Sequence, residues 1–386
     1  MRGLGWAAVL LALVVSGCRG PQAKEDTVKI GLIVELTGDM PAVGASSRNA
    51  AEMAVKEINQ TGVKIGGKDY KIELVVGDNA ARADQSAALA HKLITQDKVV
   101  AIIGPNASLG AVPAAEIAES SKTLLITPWS TNPKTTLDAR TGAAKKYVFR
   151  ACFTDPFEGR VLARFVVDKL KAKRAAVLYD VASEAPKSQA ELFRQVFEQL
   201  GGTVVAFETY TTGDRDFSAQ LTKIKSTNPD IIFLPAYYND VGLVAQQARR
   251  QGIGVPLVGS DAWSSPELIA LSEGAVEGSY FANHYAADIA TPAAQRFISA
   301  YRQAYGKPPD DVAALTYDAF GLLAKALQRA GKVDRETMRD AMAGLPTYSG
   351  VTGDIRITPG SGDPLKSAVI MQVQGDKFAW VMNAAP

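Results

Sequence analysis

The chain has 386 residues, enough for two domains of ordinary size. Hydrophobic residues make up 47% and charged residues 21%, a balance that supports a packed core and excludes extended disorder as the main theme. The 42 basic and 40 acidic side chains nearly cancel, so a nucleic-acid partner is not expected. With only 2 His and 2 Cys, a multi-cysteine zinc site, an iron–sulfur cluster and a disulfide framework are excluded by count; no metal and no cofactor is expected.

The first residues read as an address. Met1-Arg2 gives a short positive start, and residues 4–15 (LGWAAVLLALVV) form an apolar run of signal length, well below the roughly 20 residues of a membrane span. Val15-Ser16-Gly17-Cys18 resembles a bacterial lipobox, in which small residues admit the signal peptidase and the Cys thiol takes the lipid. Residues 1–17 are thus expected to be a lipoprotein signal peptide, Cys18 the lipidation site and residues 18–26 a polar tether. The expected location is outside the cytoplasm, anchored to the bacterial membrane through the lipid on Cys18. Cys152 is left without an internal partner and reads as a small buried hydrophobe.

The body alternates strand and helix. TVKIGLIVEL (27–36) is nearly continuous in apolar residues, the mark of a strand buried on both faces. A helical pattern over 45–60 follows, with Ala50, Met53, Ala54 and Ile58 on one face. Strands are predicted at 70–76, 99–105 and 123–128, with helices at 84–96 and 108–120 between them. Such spacing implies right-handed crossovers and a parallel sheet. After YVFRACFTDP (147–156) the alternation resumes. Strands are expected at 174–179, 203–209, 230–234 and 256–259, and helices at 187–200, 218–226 and 240–251. Helices return at 293–305, 311–330 and 335–343, and the end, GDIRI then KSAVIMQVQGDKFAWV, alternates by twos with a hairpin turn at Gly375-Asp376. The fold class is therefore α/β: two doubly wound parallel-sheet lobes joined by a multi-strand hinge, with a cleft where strand ends and helix starts meet.

Catalytic signatures are missing. There is no G-x-x-x-x-G-K-[ST], no H-E-x-x-H, no G-x-S-x-G, and no G-x-G-x-x-G after the first strand, where the sequence is ELTGDMPAVG. His91 and His284 have no nucleophile nearby in sequence, and each reads as a structural or surface residue. An enzyme is not expected.

What the cleft offers is hydrogen-bond donors. Asn106-Ala107-Ser108 ends one strand as a helix begins, and Trp129-Ser130-Thr131-Asn132 ends the next. Helix starts carry unpaired N–H groups and about half a positive charge, so a small carboxylate fits there without Arg or Lys. From the second lobe, PAYYND (235–240) and GSDAW (259–263) follow strands. Asp261 is suited to an ammonium group and Tyr237 to packing on a ligand or capping its polar end.

At this point the sequence resembles a known family. The lipobox, IGLIVELTGDMPAVG, the IIGPNAS and ITPWSTNP turns, the AYYND and GSDAW segments and LTYDAF are similar, in order and spacing over about residues 27–382, to the branched-chain amino-acid-binding receptors of ABC importers. The resemblance implies the type I periplasmic-binding-protein fold and an amino-acid ligand held between two closing lobes. It implies ABC permease and ATPase subunits as partners, and a monomer. Carried over by motif, Ser108, Thr131 and the Trp129 backbone meet the ligand's head group, Asp261 its ammonium, and Tyr237 closes over it. Asp261 is one carbon shorter than the family's common Glu. Trp129 stands where leucine and isoleucine receptors have a small residue, Val43 where they often have an aromatic, and DVASEAP (180–186) where they often have Tyr. The implied division is 27–149 plus 283–356 for the first lobe and 150–282 plus 357–386 for the second. The alternative reading is a receptor of the same fold that senses an amide, urea-like or other small solute without transport.

Overall fold

The first sheet is built from β1 (Asp26–Val34), β2 (Val63–Ile65), β3 (Lys68–Asp78), β4 (Ala101–Ile103), β5 (Leu124–Thr127) and β6 (Val148–Arg150), in the order β2-β3-β1-β4-β5-β6. Every neighbouring pair is parallel except the edge hairpin β2–β3. The computed structural model describes residues 26–289 and 291–385; the signal, most of the tether and Cys18 lie outside the described residues. Between the strands run α1 (Pro41–Thr61), α2 (Ala83–Thr95) and α3 (Ser108–Ser120). The sheet is apolar on both faces because helices cover both. Leu32, Leu124 and Ile126 point into the layer with Ala51 and Ala54 of α1, while the intervening Ile33 and Leu125 point to Leu93 of α2 and Ala114 of α3. Burying one Leu or Ile contributes about 1.5–3 kcal/mol, so these alternating layers supply most of the lobe's cohesion.

After β6 the chain crosses into α4 (Asp155–Asp168), β7 (Arg174–Asp180), α5 (Glu184–Gln199), β8 (Thr203–Tyr210), α6 (Ser218–Ser226), β9 (Ile231–Phe233), α7 (Tyr238–Arg250), β10 (Leu257–Gly259), α8 (Glu267–Ser272) and β11 (Tyr280–Asn283). It then returns to the first lobe through α9 (Pro292–Tyr305), α10 (Asp311–Ala330) and α11 (Arg335–Ala343). There α10 packs on α1, with Ser47 and Thr316 sharing a buried hydrogen bond of 2.9 Å. Asp310 caps α10 by accepting from the Ala313 N–H at 2.8 Å, and Gly331 ends it at φ 65.

A small sheet of β12 (Tyr348–Gly350), β13 (Gly353–Ile357) and β14 (Pro364–Leu365) leads to a last crossing. Then β15 (Ala368–Gln374) and β16 (Lys377–Ala384) join the second sheet, whose order is β16-β15-β11-β10-β9-β7-β8. The hairpin expected around Gly375-Asp376 forms between β15 and β16, with Gln374 opposite Lys377. GDIRI instead forms β13 in the small sheet, because Gly353 sits at φ 93 and turns the chain back on β12. Three passages join the lobes, and the fold is the two-lobed α/β arrangement expected from the sequence.

The sequence reading assigns no element to 155–168, yet α4 occupies it. Its polar stripe is thin: Arg160, Arg164 and Asp168 are exposed, but Asp155 and Glu158 are buried alongside Phe157, Leu162 and Phe165, so burial there does not follow polarity.

Candidate functional site

The cleft lies at the strand ends. β4 leads through Gly104-Pro105 to Asn106 and Ala107, and α3 starts at Ser108; β5 leads to Trp129, Ser130 and Thr131. From the second lobe, β9 leads to Tyr237, just before α7, and β10 ends on Gly259, with Asp261 opening the short 3-10 turn Asp261–Trp263. Ser108, Trp129, Thr131, Tyr237 and Asp261 line one cavity, with Ala185, Pro186 and Gln189 of α5 opposite them. The cavity is tight in this conformation: about 20 Å³ is open to a water-sized sphere, room for little more than one water. The DVASEAP segment reaches the cavity through Ala185 and Pro186, whereas Val43 is buried inside α1 and does not line it.

The first wall is made of neutral groups in a chain. Ser108 Oγ and Ser130 Oγ are 2.9 Å apart, and Ser130 Oγ is 2.7 Å from Thr135 Oγ1. The Thr127 hydroxyl accepts from the Ser130 N–H at 3.2 Å and donates to Pro105 O at 2.6 Å. Two of the N–H donors expected free at this turn, those of Asn106 and Ala107, are already taken. Glu35, fully buried at the end of the first strand, already accepts from Asn106 N at 3.1 Å, Ala107 N at 3.2 Å and Asn106 Nδ2 at 2.8 Å. Burial pushes its carboxyl up, against the pull of these donors. An internal acid therefore sits where the helix start attracts anions. The cap of α3 is Ala107, and Ser108 lines the cleft without capping its own helix.

Trp129 is turned by its indole N–H, which donates to Asp311 Oδ2 at 3.0 Å. Ser264, from the second lobe, donates to the other oxygen of Asp311. Asp311 thus joins the lobes beside the cleft. Tyr237 lies tilted over Trp129, ring centres 6.2 Å apart, and burial pushes its hydroxyl far up.

The second wall is built around a carboxylate. Asp261 is 3% exposed; its N–H donates to Glu158 Oε1 at 2.7 Å, and its Oδ2 lies 3.0 Å from His284 Nε2. Gln189 Nε2 donates to Glu158 Oε2 at 2.9 Å and to Asp155 Oδ1 at 3.3 Å. Burial pushes Asp261 up to about 7 and Asp155 up to about 6. Glu158 is raised well above its ordinary range by burial and the neighbouring acids. The turn itself depends on Gly259: a Cβ there would fall 2.0 Å from Trp263 Cε2, and Trp263 is pinned by its indole N–H on Leu234 O at 3.0 Å.

Asp261, His284 and Asp311 bring one oxygen or nitrogen each within 4.8 Å of one another. The contacts already made by these groups, His284 on Asp261 and Trp129 with Ser264 on Asp311, make them a hydrogen-bonded cluster. Cys152 is buried and donates to Ser130 O at 3.2 Å; burial pushes its thiol far up, so it is an inert packing group. Sequence reasoning passed over Glu35, Glu158, Gln189, His284 and Asp311. The one available signal was that His284 also follows a strand end, that of β11.

A profile of the periplasmic binding protein family matches residues 27–377. The chain belongs to the periplasmic binding protein family. It is similar to a leucine-binding protein from Thermotoga maritima, with 35% identity, a TM-score of 0.87, and 93% of this chain and 99% of that one covered. It is also similar to a branched-chain amino acid transporter substrate-binding protein from Streptococcus pneumoniae solved with isoleucine, with 33% identity, a TM-score of 0.85, and coverage of 94% and 100%. A leucine-, isoleucine-, valine-, threonine- and alanine-binding protein from Pseudomonas aeruginosa is 28% identical over 89% of each chain. As a periplasmic binding protein the chain is a substrate-binding protein that acts outside the cytoplasm. Among the described residues no helix is long and apolar enough to cross a membrane.

Proposed function

We propose that this periplasmic binding protein captures a free amino acid, of the branched-chain or a related kind, and delivers it to an ABC permease and its ATPase subunits. The observation that carries the reading is the cleft's polarity. Among the buried carboxyls, Asp261 lines the cavity and ionises near neutrality, and it shares that cavity with the neutral hydroxyls of Ser108 and Thr131. That is the charge pattern of a zwitterion's host: the ammonium meets Asp261, and the carboxylate meets the Ser108 and Thr131 hydroxyls with the backbone beside Trp129. Tyr237 covers the ligand, and Trp129 with Ala185 and Pro186 bounds its side chain. The relatives that bind leucine, isoleucine, valine, threonine or alanine support the same reading.

The proposal includes a first lobe of 27–149 plus 283–356 and a second of 150–282 plus 357–386. The lobes close on the ligand as a monomer held to the membrane by lipid on Cys18, without enzymatic turnover. Thermal-shift screening of the twenty amino acids, followed by calorimetric titration, tests it. A true ligand at a hundredfold over Kd stabilises by about 2.7 kcal/mol. Flat responses to every amino acid would overturn it. The narrow cleft, with Trp129 occupying space that leucine receptors leave open, favours as a second reading a smaller amide or urea-like solute; including such compounds in the screen decides between them.

A further inference from the structure

His284 follows β11 and is fully enclosed. Its ring stacks on Phe153, ring centres 3.8 Å apart and planes inclined by 26°, which fixes the plane of the imidazole. Nε2 lies 3.0 Å from Asp261 Oδ2, while Nδ1 has no hydrogen-bond partner. Burial, with the positive charge of Lys366 adding to it, holds the imidazole well below its ordinary pKa, so it is neutral and carries one N–H. That hydrogen belongs on Nε2, the nitrogen with an acceptor. One oxygen of Asp261 is therefore fixed by a donor from behind, and the carboxylate's remaining capacity faces the cleft.

The other charged and titratable groups around this pair do not take over the role. Burial raises Asp155 and Glu158 on α4 and Asp311 on α10; the neighbouring charge of Asp261 adds to all three, Asp155 and Asp311 add to Glu158, and Asp310 adds to Asp311. Tyr237 before α7 and Cys152 after β6 stay protonated. Arg150 turns its guanidinium to Asp363, Ser130 O and Asn132 O, and Lys366 donates to Thr352. Beyond Asp311, Asp310 accepts from Ser46 and the Ala313 N–H.

We propose that His284 is the positioning residue of the ammonium site: its Nε2–H holds the Asp261 carboxylate toward the ligand, and binding expels the proton that Asp261 carries in the ligand-free protein. The step balances: the carboxylic O–H breaks, its proton goes to solvent, and the ligand's ammonium supplies the replacing positive charge. The proposal rests on the amino-acid reading of the cleft. Below about pH 7 affinity then falls by up to about tenfold per pH unit, since one proton must leave for each ligand bound.

Two measurements test it. The first uses the ligand-free protein labelled with ¹⁵N-histidine; with two His in the chain, His91→Gln assigns both rings. The expected spectrum shows a neutral Nε2–H tautomer for His284 from pH 5.5 to 8.5, with a shift inflection near pH 7 that disappears in Asp261→Asn. A Nδ1–H tautomer, or a ring that protonates in that range, overturns the proposal. The second is calorimetry with leucine in buffers of different ionisation enthalpy. Proton release near one at pH 6 and near zero at pH 8 is expected. His284→Leu is expected to weaken leucine at pH 7 by at least about tenfold and move the release midpoint upward, while His284→Gln, which keeps an N–H donor, holds the midpoint close to wild type. Binding at pH 6 without proton release, or His284→Leu within twofold and unmoved, overturns the proposal. If the wild type binds neither leucine nor any other amino acid, the functional reading fails, and the tautomer measurement still decides the His284–Asp261 pair.

Discussion

The two walls of the cleft are built on opposite principles. The first, around Ser108, Ser130 and Thr135, is a chain of neutral hydroxyls backed by the buried Glu35. Each of its bonds is a modest, adjustable contact worth about 1 kcal/mol net. The second, around Asp261, concentrates recognition in one buried carboxyl held by His284 from behind and by Glu158 through its backbone N–H. Losing a hydroxyl from the first wall leaves neighbours that re-pair. Losing the charge on the second leaves no carboxyl lining the cavity, because Asp155, held at about 6, and the raised Glu158 and Asp311 do not line it. On the proposed reading, ammonium selectivity rests on one residue, whereas the carboxylate end rests on a network.

The contrast is broken most directly by Asp261→Asn, which keeps the shape of the side chain and removes the charge. Calorimetry is expected to show amino-acid affinity lowered by one to two orders of magnitude, as the loss of a charged hydrogen bond is worth about 1.5–3 kcal/mol. Deaminated analogues are expected to change far less.

The next largest effect is on stability against pH. In the folded chain Asp261 is held at about 7 and Asp155 at about 6, against ~3.9 when unfolded. The folded state therefore keeps protons that the unfolded state has released between about pH 4 and 7. Stability then falls as pH rises through that window and levels off above it. From these two carboxyls, unfolding of the ligand-free protein is expected to be easier at pH 7.5 than at pH 5.5 by about 2–3 kcal/mol, partly offset by His284, whose depressed pKa acts in the opposite sense; Asp261→Asn is expected to flatten that slope. The ligand-induced thermal shift runs the other way, growing from pH 5.5 to 7.5, because the ammonium needs the ionised carboxylate.

Asp311 ties the walls together, taking the Trp129 indole N–H from one lobe and the Ser264 hydroxyl from the other. Asp311→Ala is expected to lower affinity up to about thirtyfold, from two orphaned donors at about 1 kcal/mol each. It is also expected to reduce the contraction seen by small-angle scattering on saturation, since a ligand shifts the lobes only by its preference for the closed state. The smallest change is expected from Ser108→Ala. With Ser130 and Thr135 still paired, titration is expected to show a loss of about three- to fivefold, near 1 kcal/mol. A Ser108→Ala loss equal to that of Asp261→Asn would abolish the contrast between the walls.

Much of this arrangement was readable in the chain. The strands that run as unbroken apolar segments, such as those ending at Val34 and Thr127, announce themselves because a sheet covered on both faces has no polar side to alternate with. Helices with one wet face, such as α3, α6, α10 and α11, match their sequence boundaries because each pattern is local. The five residues Ser108, Trp129, Thr131, Tyr237 and Asp261 were singled out because each follows a strand, and parallel strands deliver their ends to one edge.

What local pattern cannot carry is the partner of a buried polar group. Glu35 looks like the end of a strand until the start of α3, some 70 residues later, closes its N–H groups around it. α4 is hidden because Asp155 and Glu158 are buried by contacts with Gln189 and Asp261, which lie in other segments. His284 reads as an isolated ring until the crossing after β11 sets it between Phe153 and Asp261. Hydrophobic periodicity and turn residues act over a few neighbours, so the alternating elements, the two lobes and the edge at which the cleft opens are legible in the chain. Which buried acids are raised, and which of them lines the cleft, depends on contacts between distant segments. Desolvation and hydrogen bonding depend on distance in space, and the groups that set them on Asp261 come from α4, α5 and the end of β11.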